Sequence, residues 1–258
     1  MTPLVLVHGF MGGSAQWAPQ RCALSDTRNL ITIDLPGFGQ NADLPSIDSI
    51  SGFADWVLDQ LSYLEIERFH LLGHSMGGMI VQEMVHRAPH RVDHVILYAT
   101  GAVGNLPGRF ETIEESKRRA QTEGFEETAR RIAATWFLKE HCAAAYPDCA
   151  EIAAQSAPDA ILKGLDAMRH WRADDRLSAI KAKTMVIWGD QDRTYSWAQT
   201  EQLWRSIPQA ELAVVPGCAH AVHLEKPNIF NALLSDFLSR TEKASVLETL
   251  MDHHRDIS

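Results

Sequence analysis

Ser75 lies in the sequence Gly73-His74-Ser75-Met76-Gly77-Gly78, between the apolar run Phe69-His70-Leu71-Leu72 and the apolar residues Met79-Ile80-Val81. A strand, a G-x-S-x-G turn and a following helix hold the central serine in a strained backbone geometry, and the flanking glycines let strand and helix approach. Such a serine stands clear of the sheet and is a candidate nucleophile toward a carbonyl carbon. The N–H of Met76, at the start of the helix, would face the carbonyl oxygen under attack. Because G-x-S-x-G also occurs in ordinary strand-to-helix turns, the remaining parts must be found independently: a second oxyanion donor, a base, and an acid to orient the base.

The second donor is expected from the loop after the first strand, His8-Gly9-Phe10-Met11-Gly12-Gly13, where Gly9 permits a turn that aims the Phe10 N–H at the same point. An ordinary Gly-rich turn would read the same way. For the acid, Gly189-Asp190-Gln191-Asp192 follows a late apolar run and offers two carboxylates. Asp192 is preferred, since Asp190 adjoins the strand-ending glycine and is better placed to hold the turn. Among twelve histidines, His220 follows the run Leu212 to Val215 and the break Pro216-Gly217, on a loop at the same sheet edge. His223 is its rival. An imidazole titrating near neutrality can take the serine proton and return it to a leaving group.

The elements that must position these residues alternate. Apolar runs at Leu4 to His8, Leu30 to Asp34, Phe69 to Leu72, Val92 to Tyr98, Thr184 to Trp188 and Leu212 to Val215 read as strands. Helical spacing at Phe53 to Leu64, Met76 to Arg87 and Trp197 to Ile207 separates several of them, which predicts a parallel sheet with helices on both faces. A Ser14-capped helix is expected after the first strand. Residues 101–178 carry no strand signal and read as an all-helical cap over the sheet's C-terminal edge, between core segments 1–100 and 179–241. Residues 242–258 read as an amphipathic helical extension.

With 258 residues, 45 % of them hydrophobic, the chain can bury one large core, and a net charge of −9 argues against nucleic acid as a partner. The first residues lack a basic start and a cleavage site, and no apolar run approaches membrane-spanning length, so a cytoplasmic location without membrane attachment is expected. The four cysteines, Cys22, Cys142, Cys149 and Cys218, suggest neither a zinc site nor a disulfide framework, although Cys142 and Cys149 are near enough in sequence to meet.

In these motifs, together with Asp34-Leu35-Pro36-Gly37-Phe38-Gly39 and with Glu225 and Pro227 behind His220, the chain resembles the α/β-hydrolase superfamily, from about residue 4 to 240. It is most similar to small carboxylesterases and 3-oxoadipate enol-lactonases, and somewhat similar to carbon–carbon bond hydrolases and the menaquinone-pathway lyase. The resemblance implies a Ser75, Asp192, His220 triad acting on a small-molecule ester or lactone, with no metal or organic cofactor. The superfamily's usual first two antiparallel strands are missing here, and a shortened sheet edge would be covered by the C-terminal extension or by a second copy in a homodimer. Met11, Trp136, Met168 and Trp171 are the candidate substrate-binding residues, with plain packing as their alternative. Arg169 and Arg172 are candidates to clamp a substrate carboxylate or, more simply, belong to a solvated helix end. Two other readings stay open: carbon–carbon hydrolysis or elimination with the same triad, and a small-molecule receptor that retains it.

Overall fold

The computed structural model describes residues 2–105 and 111–240, so the expected extension at 242–258 lies outside the described residues. Strands β1 (Leu4–Val7), β2 (Leu30–Ile33), β3 (Phe69–His74), β4 (Val92–Tyr98), β5 (Lys183–Gly189) and β6 (Glu211–Val215) form one sheet in the order β2-β1-β3-β4-β5-β6. Every pairing is parallel. Parallel strands covered on both faces read as continuous apolar runs, and β1 and β3 are buried end to end. At one edge of the described sheet β2 is half-buried over most of its length.

Helices α1 (Ala18–Leu24), α2 (Ile50–Tyr63) and α3 (Met76–Arg87) lie in the first half of the chain. Four more, α4 (Ile113–Glu123), α5 (Phe125–Thr135), α6 (Tyr146–Ala154) and α7 (Pro158–His170), lie between β4 and β5. They are followed by α8 (Trp197–Ser206), the short α9 (Val222–Glu225) and a helix over residues 227–240. One core joins the sheet to α2, α3, α8 and the α4–α7 segment through residues such as Phe53, Met79, Leu203 and Leu165. A second core on the opposite face takes Leu24 of α1 and Phe230, Leu234 and Phe237 of the last helix. No helix among the described residues is long and apolar enough to cross a membrane.

One local expectation is corrected. Ser14 does not cap a helix through its side chain: Gly13 is the N-cap of a short 3₁₀ turn, and Ser14 donates through its N–H and Oγ to the Asp34 carboxylate at 2.7 and 2.6 Å. Helix α7 begins at Pro158, whose fixed φ suits the first helical position.

The segment between β4 and β5 leaves and rejoins the core through one short ribbon. Ala173 N–H donates to the Ala102 carbonyl at 2.8 Å and Gly104 N–H to the Trp171 carbonyl at 3.0 Å, around an antiparallel bridge between Val103 and Arg172. The indole N–H of Trp171 and the Arg176 guanidinium both donate to Oε1 of Glu83 on α3, at 2.9 and 2.6 Å. Burial pushes the Glu83 carboxyl up, but these bonds outweigh it and hold it below the ordinary carboxylate value.

Helix α3 sits directly on the sheet because no side chain separates them. A Cβ at Gly77 would stand 2.3 Å from the Val7 carbonyl oxygen, and one at Gly73 would stand 2.3 Å from the Gly77 oxygen. Both contacts are backbone, so neither can be relieved by a rotamer change. Gly77→Ala is therefore expected to lower unfolding stability by about 3 kcal/mol or more, the upper end of overpacking effects. Urea denaturation checks this, and a loss below about 1 kcal/mol would show that the helix can lift without penalty.

Candidate active site

Ser75 connects β3 to α3 with φ 56° and ψ −119°, outside the regions that L-residues normally occupy. Such strain, of order 1–3 kcal/mol, persists only where the surroundings dictate it. Here they do so through the main chain: Ser75 N–H donates to the Tyr98 carbonyl at 3.0 Å, and the Ser75 carbonyl accepts from Thr100 Oγ1 at 2.7 Å and from Gly78 N–H at 2.9 Å. Both sides of the turn are thus fixed by the end of β4 and the start of α3. Met76 is the first residue of α3, so its N–H has no intrahelical acceptor and lies at the positive end of the helix. Gly9 passes so close that a Cβ there would stand 3.0 Å from the Ser75 Cβ, which sets Phe10 beside the serine turn.

The loops after β5 and β6 meet in a buried pair: His220 Nδ1–H donates to Asp192 Oδ2 at 2.9 Å, with both side chains almost wholly buried. The other Asp192 oxygen accepts from Thr194 N–H at 2.7 Å and Tyr195 N–H at 3.1 Å. Three donors fix this carboxylate, and it fixes the tautomer of His220, leaving Nε2 as the free basic nitrogen. Asp190 does something else. It accepts from the Gly217 N–H at 2.7 Å and so ties the β5 loop to the turn before His220.

His220 is surrounded by aromatic groups that sequence reasoning did not single out. Tyr195 stacks on His220 with ring centroids 5.7 Å apart and planes 12° apart, and His74 packs against it at 4.5 Å. The His220 carbonyl accepts from Tyr98 Oη at 2.8 Å and from His74 Nε2–H at 3.2 Å. His223, the rival candidate, donates through Nδ1–H to Tyr98 Oη at 3.0 Å and, among the described residues, pairs with no carboxylate. Burial, followed by repulsion from His220, pushes its imidazole down to about 3. The same two causes in the same order hold His74 well below its ordinary value. Both rings stay neutral when a positive charge forms on their neighbour. The position of Tyr98 at the end of β4, the strand beside β3, was the available signal for its role.

Ser75, His220, Gly9 and Phe10 border a cavity of about 30 Å³. The helices between β4 and β5 close its other side with Ile113, Ile132, Trp136 and Met168, and Gln16, Thr194 and Tyr195 complete much of the rim. Of the four expected substrate-binding residues, Trp136 and Met168 line this cavity and two do not. Met11 has a positive φ of 55° and is fully buried in the core, and Trp171 is turned to Glu83. Arg169 pairs with Glu114 and Arg172 with Asp174 on the surface, the solvated arrangement. Among the described residues no group of His, Cys, Asp or Glu is arranged to hold a metal ion. Burial pushes the thiols of Cys149 and Cys218 up to about 12, which removes both as nucleophiles near neutral pH.

A sequence profile of the alpha/beta hydrolase fold matches residues 2–227. The chain belongs to the α/β-hydrolase family. A relative from Agrobacterium fabrum, named "Putative carbamate hydrolase RutD", is 30 % identical over 240 residues, covering 91 % of this chain and 92 % of that one. Two solved α/β hydrolases share the fold. An enol-lactonase from Burkholderia xenovorans LB400 superposes with a TM-score of 0.84 at 24 % identity, covering 93 % of this chain and 92 % of its own. A thermophilic esterase from Thermogutta terrifontis does so with the same TM-score and identity, covering 93 % and 90 %.

The His220–Asp192 bond has a direct spectroscopic signature. Proton NMR of this α/β hydrolase is expected to show a far-downfield imidazole N–H resonance that disappears in Asp192→Asn and survives in Asp190→Asn. Loss in the second variant alone would assign the bond to the wrong carboxylate.

Proposed function

We propose that the protein cleaves a carboxylic ester or lactone of a small molecule through an acyl-enzyme on Ser75. The observation that carries this reading is the buried Asp192–His220 pair opening on the same cavity as a serine held at positive φ. In the first step Ser75 Oγ attacks the carbonyl carbon while His220 Nε2 takes its proton. The imidazolium so formed rests against the Asp192 carboxylate, and the oxyanion lies against the N–H groups of Phe10 and Met76. The proton then passes from His220 to the departing alkoxide. Water cleaves the acyl ester with His220 again accepting and returning a proton, so the enzyme is restored without a cofactor.

The helical segment over residues 101–178 acts in this reading as a cap that shapes the acyl site. A cavity of about 30 Å³ has room for a few water-sized groups, which suits a short acyl chain better than a long one. The relative named for carbamate hydrolysis makes carbamates a natural addition to an ester and lactone panel, because the same attack and the same oxyanion apply.

A fluorophosphonate is expected to label Ser75 covalently, since it needs both an activated hydroxyl and an oxyanion site. Labelling should vanish in Ser75→Ala and fall sharply in His220→Ala, and Asp192→Asn should lower kcat on a short p-nitrophenyl ester by about four orders of magnitude. Intact-mass analysis and steady-state kinetics check these outcomes. Labelling that persists at another serine in Ser75→Ala would remove the nucleophile, and labelling without multiple turnover of any ester, lactone or carbamate would favour a receptor.

Enlarging the cavity through Trp136→Ala is expected to shift relative kcat/KM toward longer acyl groups by about ten- to two-hundred-fold, the range that one methylene commands in an apolar pocket. Trp171→Ala, whose side chain lies elsewhere, should leave the acyl-length profile unchanged. Equal effects of the two would place acyl selection outside this cavity.

A further inference from the structure

Glu225 lies five residues past His220, at the end of α9, and its two carboxylate oxygens point to different parts of the molecule. Oε2 accepts from the Ala219 N–H at 2.7 Å, immediately before the base, whereas Oε1 accepts from the Leu138 N–H at 2.7 Å, in the segment following α5. The first bond alone would close the loop that carries His220. The second reaches across to the helical cap.

A parallel contact stands beside it. The N–H of Ala221, on the other side of His220, donates to the Trp136 carbonyl at 2.9 Å. Arg193, next to Asp192, donates through Nη2 to the Leu138 carbonyl at 3.2 Å and through Nη1 to Glu140 at 2.5 Å. The peptide groups of Leu138 are therefore held at both ends: the N–H by the residue that braces the His220 loop, and the C=O by the neighbour of Asp192. Trp136, two residues earlier, lines the cavity. The base loop, the acid loop and the acyl side of the cavity all converge on residues 136–140.

From this geometry we infer that Glu225 is a positioning residue that couples the seating of the cap to the alignment of His220, with Arg193 as a weaker second strut from the Asp192 side. The inference rests on the serine chemistry proposed above. A group pressing on Trp136 loads the same backbone that holds the base, so the alignment of His220 depends on what occupies the cavity. Glu225 and Arg193 do not line that cavity, and their effect belongs to the chemical step rather than to binding. Charge assistance makes the carboxylate a stronger acceptor than an amide, and an amide offers only one oxygen to two N–H groups.

Glu225→Gln and the surface variant Arg193→Met test this. Hydrogen exchange read by mass spectrometry is expected to accelerate together in peptides covering residues 136–140 and 217–222 of Glu225→Gln, with α2 unchanged. Fluorophosphonate labelling of Ser75 should slow by about ten-fold or more, the effect of losing one charge-assisted bond. On a turned-over ester, kcat should fall while KM stays near the wild-type value. Arg193→Met should show the same pattern at about three-fold, and it decides the matter if circular dichroism shows Glu225→Gln to be unfolded. Unchanged exchange over 136–140 in both variants would overturn the strut. Wild-type labelling rates in a variant with accelerated exchange would overturn the positioning role. A wild-type protein that is not labelled at all removes the serine chemistry, and the positioning role with it, while the paired rise in exchange still reports the strut.

Discussion

Direct contact of the α3 backbone with the sheet is the constraint on which the rest of the site depends. Gly73 and Gly77 allow that contact, and a Cβ at Gly78 would stand 2.5 Å from the Thr100 side chain, so the helix is pressed against the ends of both β3 and β4. A helix this close to the strand that feeds it leaves one residue to reverse direction, and that residue is Ser75 at φ 56°. Its strain is offset by main-chain bonds to Tyr98 and Thr100 and by the burial of nearly all of α3. The placement of Ser75 at the cavity and of Met76 at the start of α3 are thus consequences of packing rather than separate devices.

Electrostatics around His220 follow from what has been left uncharged. His74, His220, His223 and Tyr98 form one buried cluster, and burial drives the Tyr98 hydroxyl well above its ordinary value. The carboxylate bonded to this cluster is that of Asp192, on His220. The other two rings serve as hydrogen-bonding spacers: His74 holds the His220 carbonyl, and His223 orients the Tyr98 hydroxyl that holds the same carbonyl from behind. Aromatic packing of this kind fixes direction as well as position.

Much of the fold was legible because its signals are local. The helix over Met76–Arg87 and the strand over Val92–Tyr98 have the limits that periodicity and Pro89 assign to them. Distance from Gly189 favoured Asp192 over Asp190, and Asp192 does pair with His220, but the reason differs from the one expected: Asp190 bonds across to Gly217 on the next loop, whereas Asp192 also holds its own turn through Thr194 and Tyr195. What escaped is what depends on partners far away in the chain. Ser14 has the residue type of a helix cap, yet Asp34 competes for it from the next strand. Trp171 has the size and placement of a pocket residue, but its indole N–H needs an acceptor once buried, and Glu83 supplies one from α3. Met11 follows Phe10 on the loop after β1, and the left-handed backbone at that position accompanies its burial in the core. None of these leaves a trace in spacing.

The ribbon at Ala102–Gly104 and Trp171–Ala173 has a bearing on how such a chain assembles and diversifies. Strands β4 and β5 are hydrogen-bonded neighbours, so the sheet is completed only when the whole intervening stretch has been closed as a loop. The entropic penalty of that closure grows only logarithmically, by about 0.6 kcal/mol for each doubling of length. Because the two ends of the stretch are clipped to each other before they reach the sheet, β4 and β5 experience the same boundary whatever lies between. The length of the inserted stretch can therefore change at little thermodynamic expense to closure of the sheet, so long as residues 136–140 keep their bonds to the loops after β5 and β6.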